Sequence, residues 1–75
     1  MRAAKNKSSP EGAILRRLRT KSGITQEDLA HRVGVTTHTI WRLENGHTFN
    51  PRLDTLRAIA KALGVNVVAL LIPKP

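Results

Sequence analysis

Three segments of this chain share one grammar. A glycine is followed by a β-branched apolar residue, then by Thr or Asn, then by an apolar residue four positions further on. The segments are Gly23-Ile24-Thr25 with Leu29, Gly34-Val35-Thr36 with Ile40, and Gly64-Val65-Asn66 with Leu70. Each step has a physical cause. Glycine leaves a finished helix at low steric cost. Thr or Asn offers a side-chain oxygen to the free N–H groups of the next helix. The two apolar residues on either side of the cap close on each other as a staple. A chain punctuated in this way folds into short helices with tight connections. No segment carries the alternation of a strand, and no repeat of solenoid length occurs. The predicted fold class is all-α.

Between these signals the apolar residues recur at helical spacing. A first helix is predicted over residues 11–21, with Ile14, Leu15 and Leu18 inward and Gly23 as its C-cap. A second starts at the Thr25 cap, with Asp28 in the position of a capping-box acid and Leu29, Ala30 and Val33 as its buried face. A third follows the Thr36 cap, buries Ile40 and Leu43, and stops at Asn45-Gly46. After a loop over residues 47–51, a fourth helix carries Leu53, Leu56, Ile59, Ala60 and Leu63 on one face. A fifth is expected to end at Pro73. Residues 1–10 are basic, polar and aperiodic. They are expected to form a flexible arm, serving either no purpose or to reach DNA, with the domain proper at residues 11–73.

Size and charge narrow the functions open to such a domain. With 75 residues and no cysteine, neither disulfides nor a thiolate zinc site can support the fold. A domain of this size buries only about 60–65% of its unfolded surface. Stability then depends on capped helices, or on pairing with a second copy. Lys and Arg number 13 against 5 Asp and Glu, a net charge of +8 that suits a polyanion. Trp41 and Phe49 are the whole aromatic complement, which disfavours RNA modules that stack bases. His31, His38 and His47 fall on separate elements, so no metal site is expected. No nucleophile stands beside an oriented base, so neither catalysis nor a small-molecule substrate is expected. No cofactor is implied. The apolar run at residues 67–72 is too short to span a bilayer, and the basic start is not followed by a signal-like apolar stretch. The expected location is the cytoplasm and its nucleoid, with no membrane partner.

Residues 25–46 carry the strongest constellation. Small Ala30 permits a close helix crossing, and Gly34 turns the chain sharply. Val35, Ile40 and Leu43 fill the angle between two helices. This is the arrangement of a helix-turn-helix, whose second helix enters the DNA major groove. At about 100° per residue, the outward face of that helix carries His38, Arg42 and Asn45, flanked by Thr37 and Trp41. Arg42 has the reach and the fork for guanine O6 and N7, or for a phosphate. His38 can donate to a purine or lie idle in solvent. Thr37 can offer its hydroxyl or its methyl. Trp41 can press on sugar or a thymine methyl, contact a second subunit, or fold back as partial core. Gln26, at the start of the second helix, is placed to bind phosphate. Thr36, Asn45, His47, Thr48 and Arg52 are candidate supporting phosphate donors.

TQEDLAHRVGVTTHTIWRLENG resembles the helix-turn-helix of Cro/cI-type (XRE-type) repressors, including those of lambdoid phages. NPRLDTLRAIAKALGVNVVALL resembles that family's fourth and fifth helices. The resemblance implies a five-helix, lambda-repressor-like domain that binds double-stranded operator DNA as a homodimer. It also implies base readers at Thr37, His38 and Arg42, a backbone contact at Gln26, and a structural salt bridge between Arg19 and Glu44. Where the family often carries Lys or Arg after the LENG stretch, this chain has His47-Thr48, which implies a weaker backbone contact. Two functions follow. One is a transcriptional regulator, in the first place a repressor, whose dimer surface involves Phe49 and residues 67–72. The other is an antitoxin that binds a toxin protein and represses its own operon, with residues 1–10 left to wrap the partner.

Overall fold

A computed structural model describes residues 9–71 as α1 (Pro10–Lys21), α2 (Gln26–Val33), α3 (Thr37–Asn45), α4 (Leu53–Leu63) and α5 (Val67–Leu71). No strand occurs among the described residues. Most of the expected arm, and Ile72 and Pro73, lie outside them.

The boundaries follow the caps. Thr25 Oγ1 accepts from the Asp28 N–H at 3.0 Å, and Thr36 Oγ1 accepts from the Thr39 N–H at 3.1 Å. Gly34 closes α2 with φ +86°, a conformation that side-chain-bearing residues rarely adopt. Its N–H and that of Val35 both return to the Ala30 carbonyl, at 2.8 and 3.0 Å. The turn is therefore set by backbone bonds. At the end of α3 the cause is different. Gly46 has an ordinary extended backbone, but a Cβ there would stand 2.6 Å from the Arg42 carbonyl oxygen.

Two boundaries differ from expectation. Ser22 caps α1, and the positive φ falls on Gly23 just after it. At the other end, Ser9 and Pro10 belong to the helix, not to the arm. Ser9 is buried, its Oγ accepts from the Gly12 N–H at 3.0 Å, and its own N–H donates to the Gly46 carbonyl at 2.9 Å. Pro10 occupies the first helical position, where its missing N–H has no intrahelical partner to lose. Because Ser9 both caps α1 and ties it to the end of α3, Ser9→Ala is expected to cost about 1 kcal/mol. Chemical denaturation would measure it, and an unchanged midpoint would return Ser9 to the arm.

The core is Leu15, Leu29, Ala30, Ile40, Leu43, Leu56, Ile59, Ala60, Leu63 and Leu70. Leu18, Ile24, Val33, Val35, Phe49, Val65 and Val67 pack around it, so all three staples meet the core. α3 lies against α1 and α2, α2 against α4, and α5 against α1 and α4. Leu53 departs from its expected place: it is 58% exposed. It is the first residue of α4, and the buried face of that helix begins one turn later, at Leu56.

One contact was not foreseen. Gly12, in the interior of α1, is buried against the end of α3. A Cβ at this position would lie 2.5 Å from the Leu43 carbonyl oxygen and 2.9 Å from that of Glu44. The two helices approach at a distance that only glycine allows.

Candidate nucleic-acid interface

The orientation of α3 decides what this surface offers. Ile40, Leu43 and Glu44 are buried. Thr37, His38, Trp41 and Arg42 are exposed together on the other side. The helix is held from three directions: by Ile40 in the core, by the α1 crossing at Gly12, and by an ion pair beneath it. A helix so fixed presents its outward side chains from a rigid backbone, with little backbone reordering left for binding.

The ion pair joins Arg19 on α1 to Glu44 on α3. Arg19 Nε donates to Glu44 Oε2 at 2.5 Å and Nη2 donates to Oε1 at 3.1 Å, a two-pronged contact. Arg19 Nη1 also donates to the Ile24 carbonyl at 2.8 Å, which secures the α1–α2 turn. The Glu44 side chain is 1% exposed and that of Arg19 is 11% exposed. Three elements thus meet on one buried guanidinium.

Gln26 joins the same network. Its Nε2 donates to Glu44 Oε1 at 3.0 Å. From sequence, Gln26 is expected against phosphate and Glu44 in the architecture, with nothing to connect them. The signal was weak, because the two residues lie 18 positions apart and nothing in the periodicity pairs them. Gln26 also lines a shallow cleft with Thr37, His38 and Trp41. One edge of its amide is held from below while the residue borders the outward face of α3.

Trp41 is half exposed and lies flat against His38, with ring centroids 5.8 Å apart and planes 10° from parallel. It does not fold back into the core. The residues stand three apart on one helix, so their contact was legible from spacing alone. The stack makes an aromatic plate on the outer side of α3.

Arg42 has no carboxylate partner among the described residues. It lines a second cleft, between the end of α3 and the start of α4, with His47, Thr48, Asn50 and Arg52. Four candidate DNA-contacting residues are therefore gathered in one place. Arg52 approaches Asp54 only at 3.8 Å, with both side chains largely in solvent. A pair of that kind contributes little and leaves Arg52 available. Asn45 Nδ2 donates to the Trp41 carbonyl of its own helix at 2.9 Å, in the last turn of α3. Thr36 is also committed locally, to the Thr39 N–H and hydroxyl. Both side chains thus already hold a bond to a residue of α3.

Among the described residues, no three His, Cys, Asp or Glu side chains converge as a metal site would require. No described helix is long and apolar enough to cross a membrane.

Known proteins resemble this chain in both sequence and fold. A family model described as helix-turn-helix matches residues 15–70. An uncharacterised HTH-type transcriptional regulator of Methanothermobacter thermautotrophicus is 49% identical over 51 residues, covering 68% of this chain and 72% of that protein. Among solved structures, the restriction-modification controller protein C.AhdI from Aeromonas hydrophila is 33% identical with a TM-score of 0.75, covering 81% of this chain and 91% of that one. The N-terminal DNA-binding domain of SinR from Bacillus subtilis is 26% identical with a TM-score of 0.78, covering 85% of this chain and 93% of that one. SinR has also been solved in complex with DNA.

Proposed function

The chain belongs to the XRE-type helix-turn-helix family of DNA-binding transcriptional regulators, and from this premise we propose that it is a repressor that reads operator DNA as a homodimer, with α3 in the major groove. The observation that carries the reading is the division of α3. Ile40, Leu43 and Glu44 anchor the helix, while Thr37, His38, Trp41 and Arg42 face solvent as a group. In this reading Arg42 takes a guanine edge, and Thr37, His38 and the Trp41 plate meet neighbouring bases. Gln26, His47, Thr48 and Arg52 fix the register on backbone phosphates. Thr36, which caps the start of α3, and Asn45, in its last turn, are supporting phosphate contacts.

The homodimer rests on a second observation. On α5, Leu70 is fully buried, whereas Val68 is 59% and Leu71 41% exposed. Those apolar side chains are surplus to the monomer core and fit an interface with a second copy. Two such copies would place two α3 helices on half-sites about one helical turn apart. An antitoxin that wraps a toxin with residues 1–10 is the alternative, and no observation favours it specifically.

Selection of bound duplexes from a random pool tests the reading. The expected product is a pseudo-palindrome with fixed half-site spacing. A pool that never enriches one sequence would sink it, and an enriched single half-site would sink the dimer. With the selected duplex in hand, Arg42→Ala should cost about 1–3 kcal/mol and relax discrimination at one base pair. Gln26→Ala should weaken selected and scrambled duplexes nearly equally. If the two variants behave alike in a binding titration, the sorting into base and backbone contacts is wrong.

A further inference from the structure

We propose that Glu44 is a positioning residue for DNA binding: its carboxylate, locked by Arg19, holds the Gln26 amide so that the remaining Gln26 N–H meets a backbone phosphate. The proposal rests on the reading of Gln26 given above, and it assigns the buried pair a role beyond stability.

The argument begins from the carboxylate. Glu44 Oε1 accepts from Arg19 Nη2 at 3.1 Å and from Gln26 Nε2 at 3.0 Å. Its other oxygen is committed to Arg19 Nε. The carboxylate cannot rotate without breaking the two-pronged contact, so it is a fixed acceptor. Gln26 Nε2 carries two hydrogens, and one of them is spent on this acceptor. Because the amide is planar, fixing one N–H fixes the direction of the other. The residue borders the cleft shared with Thr37, His38 and Trp41, beside the face that carries the base readers.

A neutral amide makes a modest contact to phosphate, so its value depends on how much freedom it loses on binding. A free glutamine must be frozen at the moment of contact, and a glutamine already tethered to Glu44 need not be. The expected advantage of tethering is roughly two- to tenfold in affinity. The Glu44 charge also passes beneath Arg19, which neutralises it. Without that arginine the same carboxylate would repel the phosphate it helps to recruit. The pair thus supplies a rigid acceptor at little net charge.

Three measurements test this. Gln26 is the only glutamine in the chain, so its side-chain amide gives a single assignable NMR signal pair. In the free wild-type protein, 15N relaxation should show this amide ordered like the backbone, in contrast to the exposed Asn50 amide. In Arg19→Met/Glu44→Leu, which replaces the buried pair by apolar side chains and can retain the fold, the Gln26 amide should become as mobile as that of Asn50. That folded variant should bind the selected duplex two- to tenfold more weakly. In a duplex scanned with methylphosphonates, it should lose sensitivity at the same phosphate as Gln26→Ala, and at no other. Adding Gln26→Ala to the double variant should then change nothing further.

A folded double variant that binds like wild type overturns the proposal, as does a Gln26→Ala effect of equal size in both backgrounds. If the double variant does not fold, wild-type relaxation decides. An amide as mobile as that of Asn50 overturns the proposal, and an ordered amide whose signals shift on duplex binding supports it. A purely structural pair predicts that affinity recovers whenever the fold does. Absence of any preferred duplex sinks the α3 reading and this proposal together. A preferred duplex without coupling sinks this proposal alone.

Discussion

Glu44→Ala is expected to lower the unfolding free energy by about 3 kcal/mol, because it strands Arg19 in the interior. Arg19 would keep its bond to the Ile24 carbonyl, but Nε and Nη2 would face a space that no acceptor fills. Gln26 would lose its partner as well. A domain of this length has a total stability on the order of 4–11 kcal/mol, so the loss is a large fraction of it. At about 4–8 °C per kcal/mol, the melting temperature should fall by roughly 12–24 °C. Thermal unfolding followed by circular dichroism measures this directly. An unchanged melting temperature would mean that the pairing of Arg19 with Glu44 does not hold in solution. The double replacement Arg19→Met/Glu44→Leu provides the control. It removes both charges, and its stability should return to near or above that of wild type. Loss in the single variant with recovery in the double separates a stranded charge from a simple packing defect.

Gly12→Val is expected to cost about 3 kcal/mol or more, at the upper end of overpacking effects. In an exposed helix, replacing glycine removes an entropic penalty and gains up to about 1 kcal/mol for alanine. Here that gain is outweighed. The first added carbon already meets two carbonyl oxygens of α3, at 2.5 and 2.9 Å. These are backbone atoms in a hydrogen-bonded helix, so they cannot swing aside as a flexible side chain could. α1 and α3 must separate, and the separation also strains the Ser9-to-Gly46 bond and the Arg19–Glu44 pair. Gly12→Ala should be destabilising in the same direction by a smaller amount. A Gly12→Ala protein with a raised midpoint in urea would show that the crossing is looser than the structure places it. Because the pair fixes α3, DNA affinity should also fall in Gly12→Val at temperatures where the fold persists.

The features legible in the sequence were local ones. Thr25 and Thr36 cap the helices they precede, and Gly34 takes the left-handed turn that its position between two staples required. The inward faces of α2 and α3 follow from spacing alone, and so does the outward group Thr37, His38, Trp41 and Arg42. The start of α1 carried the same type of signal, a cap residue followed by proline, and was obscured by the basic composition around it. The contact between His38 and Trp41 was also local and readable from their separation.

What remained hidden depends on distances between residues far apart in the chain. Gln26 and Glu44 are 18 positions apart and their link was not expected, whereas the Arg19–Glu44 pair, 25 positions apart, was expected only from the family resemblance and is present. Their roles follow from where three helices meet, which no single-helix periodicity specifies. Gly12 carries no signal in the sequence and proves to sit where α1 packs against the end of α3. Leu53 fits the apolar stripe of α4 yet lies about one turn before its buried part, because burial depends on what stands opposite. The helix-turn-helix over residues 25–46 was therefore set by the sequence alone, through caps, stops and spacing that act within a few residues. The tertiary structure alone decided that one buried carboxylate serves both the core and the glutamine beside the outward face of α3. A hydrogen bond needs a donor and an acceptor close and aligned in space, and for distant residues that exists only once the helices have packed.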